Sequence, residues 1–236
     1  MFEFGEKHPV VFEIILIIAA LLGAAVFAVA GSILDLQAEL GSSVGRIVVA
    51  ILLLIIFARA FKDGRFFPAP GYLLPGLLFA GWNLFYNLSS GMEFGGAVIF
   101  IEAVITALAP ALFEEVIFRG IAIYNLKKKG HGDFACLFIS AIIFALIHVT
   151  NLVGQDLISV GLQVGYSFVV GLVLAAIYLK NRSLLQIVLI HFLIDFTNRI
   201  YVSQPSTTSY VQIGIFAAVL VVEFIYALWL TARKKG

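Results

Sequence analysis

Residues 96–119 read GAVIFIEAVITALAPALFEEVIFR, an apolar stretch that ends in two adjacent glutamates and an arginine. The whole apolar run, about 96–124, exceeds the ~20 residues that an α-helix needs to cross the hydrocarbon core of a bilayer. Charged side chains are costly at membrane depth, so Glu114, Glu115 and Arg119 mark a functional site by default. The stretch therefore predicts a transmembrane helix that carries chemistry.

Further apolar runs of similar length lie on both sides of this one. They predict spans at about 9–30, 44–61, 71–88, 134–152, 157–179, 183–201 and 210–231. The composition agrees, because 62% of the residues are hydrophobic and 12% are charged, whereas about 25% are charged in a typical soluble domain. We predict an all-α polytopic bundle of about eight spans, with residues 1–236 in one domain and a motif-bearing core at about 96–200.

The basic residues orient this predicted bundle. With the N-terminus in the cytoplasm, twelve of the fifteen Lys and Arg residues fall on inner segments, whereas Arg46 and Arg199 fall outside. Cytoplasmic loops carry the excess of Lys and Arg, so both termini are predicted to be cytoplasmic. A net charge of +1 lacks the basic footprint that nucleic acid requires, so we expect the lipid bilayer as a partner and no nucleic acid.

Two of the four histidines lie within predicted spans. His148 ends the sequence FALIH, and His191 begins HFLID, with Asp195 one helical turn later on the same face. At 1.5 Å per residue, Glu114, His148 and His191 lie about 16, 21 and 12 Å from the cytoplasmic ends of their helices. These depths are similar enough for one shared site.

This set of side chains suits the hydrolysis of an amide by an activated water molecule. A carboxylate in a low-dielectric site is a stronger base than an exposed one, and a neighbouring imidazole helps to hold the water. A second histidine supplies an N–H donor for the oxyanion. Glu115 and Arg119 are spaced i, i+4 in the favourable order, so the arginine neutralises Glu115 and leaves Glu114 as the reactive carboxylate.

Two other classes of function are also consistent with the sequence. Glu and His are also zinc ligands, which would make a metalloprotease, although the chain contains no His-Glu-x-x-His. A transporter would use polar side chains within the spans as a path through the bundle, and the candidates are Glu102, Glu223, Asn83, Asn87 and Gln163. Glu13 and Glu102 lie near helix ends and are expected to be solvated.

Three motifs together resemble a known family. In order, Glu114-Glu115-x-x-x-Arg119, Phe144-x-x-x-His148 and His191-x-x-x-Asp195 are similar to the motifs of the CAAX-protease and bacteriocin-processing (CPBP, or Abi) family of intramembrane glutamic endopeptidases, which includes the Ras-converting CAAX endopeptidases. The match covers about residues 96–200. The resemblance implies an eight-helix membrane protease without a cofactor or metal, and we expect it in a prokaryotic cytoplasmic membrane.

The substrate implied by the resemblance is a membrane-associated peptide or protein, with a prenylated CAAX-type peptide as one candidate. Many relatives need not act on prenyl proteins, and a member could also act as a bacteriocin-immunity or binding protein without proteolysis. We expect a cavity that is entered from the cytoplasmic side or laterally from the bilayer.

The resemblance also implies a role for each motif residue. Glu114 is expected to be the catalytic base, with His148 as its partner in activating water and His191 as the oxyanion donor. Asp195 occupies a position that is Asn in some members, so it is either a protonated donor or a partner that orients His191. The supporting residues are expected to be Glu115, Arg119 and Phe144.

Overall fold

The structure is a computed structural model that describes residues 2–34, 37–65, 70–202 and 209–233, and for Phe2 and Pro70 the backbone alone. These residues are almost entirely helical. Among the described residues, Phe94 and Tyr201 form an isolated antiparallel β-bridge. The prediction of an all-α polytopic bundle is confirmed.

Eleven α-helices follow one another along the described residues. They are α1 (Phe2–Lys7), α2 (Pro9–Ile33), α3 (Ala38–Ile56), α4 (Ala58–Phe61), α5 (Leu74–Ser89), α6 (Ala97–Glu115), α7 (Ala122–Lys128), α8 (Asp133–Ile147), α9 (Leu157–Asn181), α10 (Leu184–Arg199) and α11 (Tyr210–Ala232). A π-helical turn at Val116–Ile121 joins α6 to α7, and 3₁₀ turns occupy Pro70–Tyr72 and His148–Val153.

Each of the eight predicted apolar runs coincides with a helical segment. Six segments are long and apolar enough to cross a membrane, counting only the residues that the structure describes: Pro9–Ile33, Ala38–Ile56, Ala97–Lys128, Asp133–Val153, Leu157–Asn181 and Tyr210–Ala232. The other two, α5 and α10, have 16 residues each. Each covers about 24 Å at 1.5 Å per residue, which is less than the ~30 Å hydrocarbon core.

Basic residues gather at one end of the bundle, called the basic end below. Lys129 Nζ donates to the carbonyl of Lys7 at 2.7 Å, which joins the ends of α7 and α1. The amide of Arg65 donates to the carbonyl of Arg182 at 3.1 Å, so the chain after α4 meets the end of α9. Lys180 Nζ donates to a carbonyl in the last turn of α11 at 3.3 Å. The segments that were predicted to be cytoplasmic therefore lie together.

The other ends of the helices meet at the opposite end of the bundle. The amide of Gly95, just before α6, donates to the carbonyl of Ile200, just after α10, at 2.8 Å. Gln212 Nε2 in α11 donates to Ser89 Oγ at the end of α5 at 2.8 Å. Arg199 pairs with the acidic residue in the first turn of α3. The beginnings of α3, α6 and α11 thus lie beside the ends of α5 and α10.

Helix α9 forms the centre of the bundle. All residues from Gly171 to Leu179 are buried. Because Gly171 has no side chain, α8 can approach closely, and an added Cβ would lie 3.1 Å from Ala141 Cα and from Phe144 Cδ1. This contact holds α8, with Phe144 and His148, against the middle of α9.

The π-helical turn is packed as tightly as the core. All residues of Val116–Ile121 are buried. The ring of Phe61 from α4 covers Gly120, where a Cβ would lie 2.2 Å from Phe61 Cε1. π-Turns occur frequently at functional sites, and this one directly follows the two glutamates of α6.

The expectation that Glu13 is solvated is wrong. Its side chain in α2 is 1% exposed, and neither carboxylate oxygen has a hydrogen-bond partner among the described residues. The reason is its position on the helix: Glu13 lies on the same face of α2 as Phe12, Ile17 and Ala20, and all four residues are buried in the bundle.

Candidate active site

The two adjacent glutamates at the end of α6 have different environments. Glu115 is fully buried, and its Oε1 accepts a hydrogen bond from Arg119 Nη1 at 2.7 Å. The side chain of Glu114 is 20% exposed. An i, i+4 ion pair thus compensates the charge of Glu115, while Glu114 remains accessible.

Arg119 fixes this ion pair within the helix bundle. Its Nη2 donates to the carbonyl of Gly171 in α9 at 3.3 Å. Its guanidinium carbon lies 4.3 Å from the centroid of the Phe144 ring, at a distance typical of a cation–π contact. Arg119 therefore links α6, α8 and α9 at the level of the site.

His191 in α10 faces both glutamates. Its Nδ1 lies 2.8 Å from Glu115 Oε1, and an ionised carboxylate only accepts, so Nδ1–H is the donor. Its Nε2 lies 3.8 Å from Glu114 Oε2 and 3.9 Å from Asp195 Oδ1. Glu115 therefore orients the ring, and the other ring nitrogen points between Glu114 and Asp195.

His148 reaches the site from the 3₁₀ turn that directly follows α8. Its Nδ1 lies 3.0 Å from the carbonyl of Phe144, which cannot donate, so Nδ1–H is the donor and Nε2 of the neutral ring is an acceptor. The Phe144 ring contacts His148 edge-to-face at a centroid distance of 5.3 Å and His191 at 5.9 Å. Phe144 thus separates the two imidazoles and holds both in place.

A cavity of about 280 Å³ lies beside His148, His191 and Asp195. Glu114 is not one of its lining residues, but its Oε2 lies 3.8 Å from Nε2 of His191, which lines the cavity. The residues that line the cavity are Phe144, His148, Gln163, Tyr166, Ser167, Val170, His191, Ile194, Asp195, Asn198 and Arg199.

The structure thus brings the candidate catalytic residues to one place, although they come from three helices. Glu114 and Asp195 both lie within 4 Å of His191 Nε2, at 3.8 and 3.9 Å. His148 shares the cavity and the Phe144 ring with His191. Among the described residues, no three His, Cys, Asp or Glu side chains are grouped closely enough to hold a metal ion.

Two asparagines that could have lined a transport path hold α10 instead. Asn83 Nδ2 in α5 donates to the carbonyl of Ile194 at 2.9 Å and to Thr197 Oγ1 at 3.3 Å. Asn87 Nδ2 donates to the carbonyl of Thr197 at 3.3 Å. Interhelical hydrogen bonds of this kind stabilise membrane bundles, so α5 fixes the helix that carries His191.

Tyr166 is a site residue that the sequence did not reveal. It lines the cavity, and its hydroxyl is buried. The ring is fixed edge-to-face against Phe79 at a centroid distance of 5.6 Å. Nothing in the sequence distinguishes this residue from the other tyrosines, because its neighbours come from α5 and α10.

Comparison with known proteins shows that the part of the chain with these residues is similar to a known family. Residues 96–197, less than half of the chain, match the family model described as type II CAAX prenyl endopeptidase Rce1-like. No curated protein and no solved structure matches the chain. The matched range contains all three motifs, from Glu114 to Asp195. Through this motif-bearing core, the chain is similar to the Rce1-like family of CAAX endopeptidases.

Proposed function

We propose that this protein is an intramembrane endopeptidase in which Glu114 activates a water molecule for attack on a peptide bond. The observation that carries the proposal is the position of His191 Nε2, 3.8 Å from Glu114 and 3.9 Å from Asp195, at the inner part of a cavity. Both distances are too long for direct hydrogen bonds and suit contacts through a water molecule. The match of residues 96–197 to the Rce1-like endopeptidase family model supports the same activity.

The geometry favours Glu114 over Glu115 as the base. Glu115 Oε1 already accepts from both Arg119 and His191, so the charge of Glu115 is compensated, and its side chain is fully buried. Glu114 is partly exposed and faces the nitrogen of His191 that is free to contact substrate or water. The unprotonated Nε2 of neutral His148 is an acceptor that can hold one hydrogen of the same water.

The proposed reaction is a hydrolysis in two steps. The water oxygen forms a bond to the carbonyl carbon while Glu114 takes the water proton, which leaves a tetrahedral oxyanion. The C–N bond then breaks, and the protonated Glu114 transfers its proton to the leaving amine. The products are a carboxylic acid and an amine, and Glu114 is again ionised.

His191 has a specific requirement for the oxyanion role. Its Nδ1–H is directed at Glu115, so Nε2 can donate to an oxyanion only when the ring is an imidazolium. Glu115 is the counter-ion that such a cation needs. Removal of the Glu115 charge should therefore weaken catalysis through His191 even though Glu115 does not contact the substrate.

Asp195 lies on the reacting side of His191. The orienting position at Nδ1 is occupied by Glu115, whereas Asp195 faces Nε2 together with Glu114. We assign Asp195 the role of a protonated donor to the oxyanion or to the attacking water. An asparagine at this position would donate through its amide in the same way.

The substrate proposed on this basis is a membrane-associated peptide or protein. A prenylated CAAX-type peptide is one candidate, because the matched family is described as a prenyl endopeptidase family. The long apolar helices place the enzyme in a lipid bilayer, and we propose a prokaryotic cytoplasmic membrane with the basic end in the cytoplasm.

Comparative proteomics of membrane peptides tests this function and identifies substrates. Cells that produce the wild-type protein should contain new peptide termini that are missing from cells with Glu114→Gln. Glu102→Gln is the matched control, since it makes the same change on the same helix twelve residues from Glu114. Identical peptide termini in wild-type and Glu114→Gln cells, at equal protein levels, would overturn the proposal.

A further inference from the structure

An arginine outside the three motifs lies in the middle of a membrane-spanning helix. Arg46 is about 12 Å from the beginning of α3 at Ala38 and about 15 Å from its end at Ile56, at 1.5 Å per residue. The sequence predicted a span that begins at about residue 44, with Arg46 on the outer side, whereas the helix begins six residues earlier. A charged side chain at such depth faces the interior of the bundle or a cavity and indicates a functional site.

The face of α3 that carries Arg46 is directed at α6. Residues four and seven apart share one face of a helix. Seven residues before Arg46, Glu39 lines a cavity together with Thr106 of α6. Four residues after Arg46, Ala50 belongs to the same buried cluster as Phe113 of α6. Arg46 therefore lies on the side of α3 that packs against the helix of the catalytic base.

The charge of Arg46 acts on the site. Arg46 is one of four ionisable groups that interact electrostatically with the Glu114 carboxylate, and the other three are His191, His148 and Asp195. The side chain of Arg46 is partly exposed, and it forms no ion pair with a carboxylate among residues 2–34, 37–65, 70–202 and 209–233. Arg46 is thus close enough to influence the catalytic base but is not paired with it.

The catalytic state proposed above has no counter-ion for Arg46 within the described part of the chain. In that state the two adjacent glutamates are balanced by Arg119 and by the imidazolium of His191, and the carboxyl group of Asp195 is neutral. The acidic residue in the first turn of α3 is paired with the arginine at the end of α10. Glu102 of α6 is twelve residues from the catalytic base, about 18 Å along the helix. The site therefore has one positive charge that a bound anion would compensate.

A carboxylate is the anion that a peptide substrate can supply. It occurs at the C-terminus and on Asp and Glu side chains, and a guanidinium binds it through two parallel N–H···O hydrogen bonds. The beginnings of α3 and α6 lie together, and Arg46 is eight residues and Glu114 seventeen residues from them, a difference of about 13 Å along the axes. An extended chain covers about 3.3 Å per residue, so this distance corresponds to at most about four residues.

We propose that Arg46 is a substrate-binding residue that pairs with a carboxylate of the peptide, within about four residues of the scissile bond. This inference rests on the proposed endopeptidase function and adds a determinant of specificity to it. Arg46 lies outside residues 96–197, the range that matches the family model, so the match assigns it no role.

Pairs of peptides that differ by one charge test the assignment. The parent probe is an internally quenched peptide that detergent-solubilised wild-type protein cleaves and the Glu114→Gln variant does not. One pair ends in a carboxylate or an amide, and the other has glutamate or glutamine within about four residues of the cleaved bond. Wild-type protein should cleave the acidic member of one pair with at least about tenfold higher kcat/KM, as expected for a hydrogen-bonded charge. The pair that shows the preference identifies the source of the carboxylate.

Variants of Arg46 separate substrate binding from an effect on the base. Arg46→Gln should lower kcat/KM about tenfold for the acidic peptide and leave the neutral peptide unchanged, whereas Arg46→Lys, which keeps the charge, should retain part of the preference. Arg59→Gln is the control, because it makes the same change at an exposed position of α4, at the basic end. Equal losses with both peptides would show that Arg46 acts on Glu114 or on folding and would overturn the proposal.

Binding gives a measure that does not depend on turnover. By fluorescence anisotropy, the Glu114→Gln variant should bind the acidic peptide at least about tenfold more tightly than the neutral one, and addition of Arg46→Gln or Arg46→Lys should reduce this ratio. Equal affinities for the two peptides would overturn the role of Arg46 and leave the endopeptidase function intact. Failure to find any peptide that wild-type protein cleaves would count against the endopeptidase function, and the binding ratio would still decide the role of Arg46.

Discussion

Replacement of Arg119 by methionine should strongly destabilise the protein, because it leaves the Glu115 carboxylate buried without its arginine. Both side chains of the ion pair are fully buried and 2.7 Å apart. Breaking a buried pair by removal of one partner costs about 3–5 kcal/mol. At about 2–4 °C per kcal/mol for a chain of this size, the melting temperature should fall by roughly 6–20 °C.

A second substitution distinguishes the lost charge balance from lost packing. Glu115→Gln in the Arg119→Met background removes the uncompensated charge while keeping the volume of both side chains. Replacement of a whole buried ion pair by neutral groups is often close to neutral, so the double variant should recover most of the lost melting temperature. Arg199→Met is the control, because its pair with Glu39 is partly exposed and should contribute less than about 1 kcal/mol.

The native thiol provides the assay. Cys136 is free and fully buried, so a thiol-reactive dye should report its exposure during heating in detergent. A melting temperature of Arg119→Met within about 2 °C of the wild type would refute the reasoning. A double variant that melts as low as the sum of the two single variants would show that the ion pair is not the cause.

Three further predictions concern the site. Asp195→Asn should retain turnover within about tenfold of the wild type, because an amide supplies the donor assigned to this position, and a loss of more than about a hundredfold in a folded variant would favour the charged orienting role instead. Tyr166→Phe should melt within about 2 °C of the wild type, because its ring keeps the packing against Phe79, and it should lower kcat/KM by about tenfold if the phenol contacts the substrate. Tyr226→Phe in α11, outside the cavity lining, is the control, and wild-type kinetics of Tyr166→Phe would exclude the contact. Activity should survive strong chelation, because the proposed water activation by Glu114 and His148 uses no Lewis acid. One zinc ion per chain, with activity lost on its removal and restored on its return, would contradict this and favour a metalloprotease.

Local patterns in the sequence predicted the helices and part of the site. Apolar runs of span length identify the membrane helices whatever they pack against, because the bilayer imposes the length. The Glu115–Arg119 pair also follows from local geometry, since residues four apart meet on one helix face. The order of the three motifs was enough to indicate the similarity to the Rce1-like family.

Features that depend on how helices are rotated against each other were not predictable. The contact of Glu115 with His191 joins residues on α6 and α10, and it determines that Glu115 orients the ring. Burial of Glu13 results from the face of α2 that packs into the bundle, and the position of the residue near a helix end does not reveal it. The cavity required the relative positions of α8, α9 and α10, and no sequence pattern marks the π-turn at Val116–Ile121.

The most direct test of the catalytic assignment is the turnover of purified Glu114→Gln protein on a cleaved peptide, measured beside wild type and Glu102→Gln. The amide retains the size of the side chain but cannot accept the water proton, and general-base catalysis contributes about 10²- to 10⁴-fold. We predict at least a hundredfold loss of turnover for Glu114→Gln at an unchanged melting temperature, with near wild-type turnover for Glu102→Gln. Near wild-type turnover of folded Glu114→Gln would contradict the assignment of Glu114 as the base.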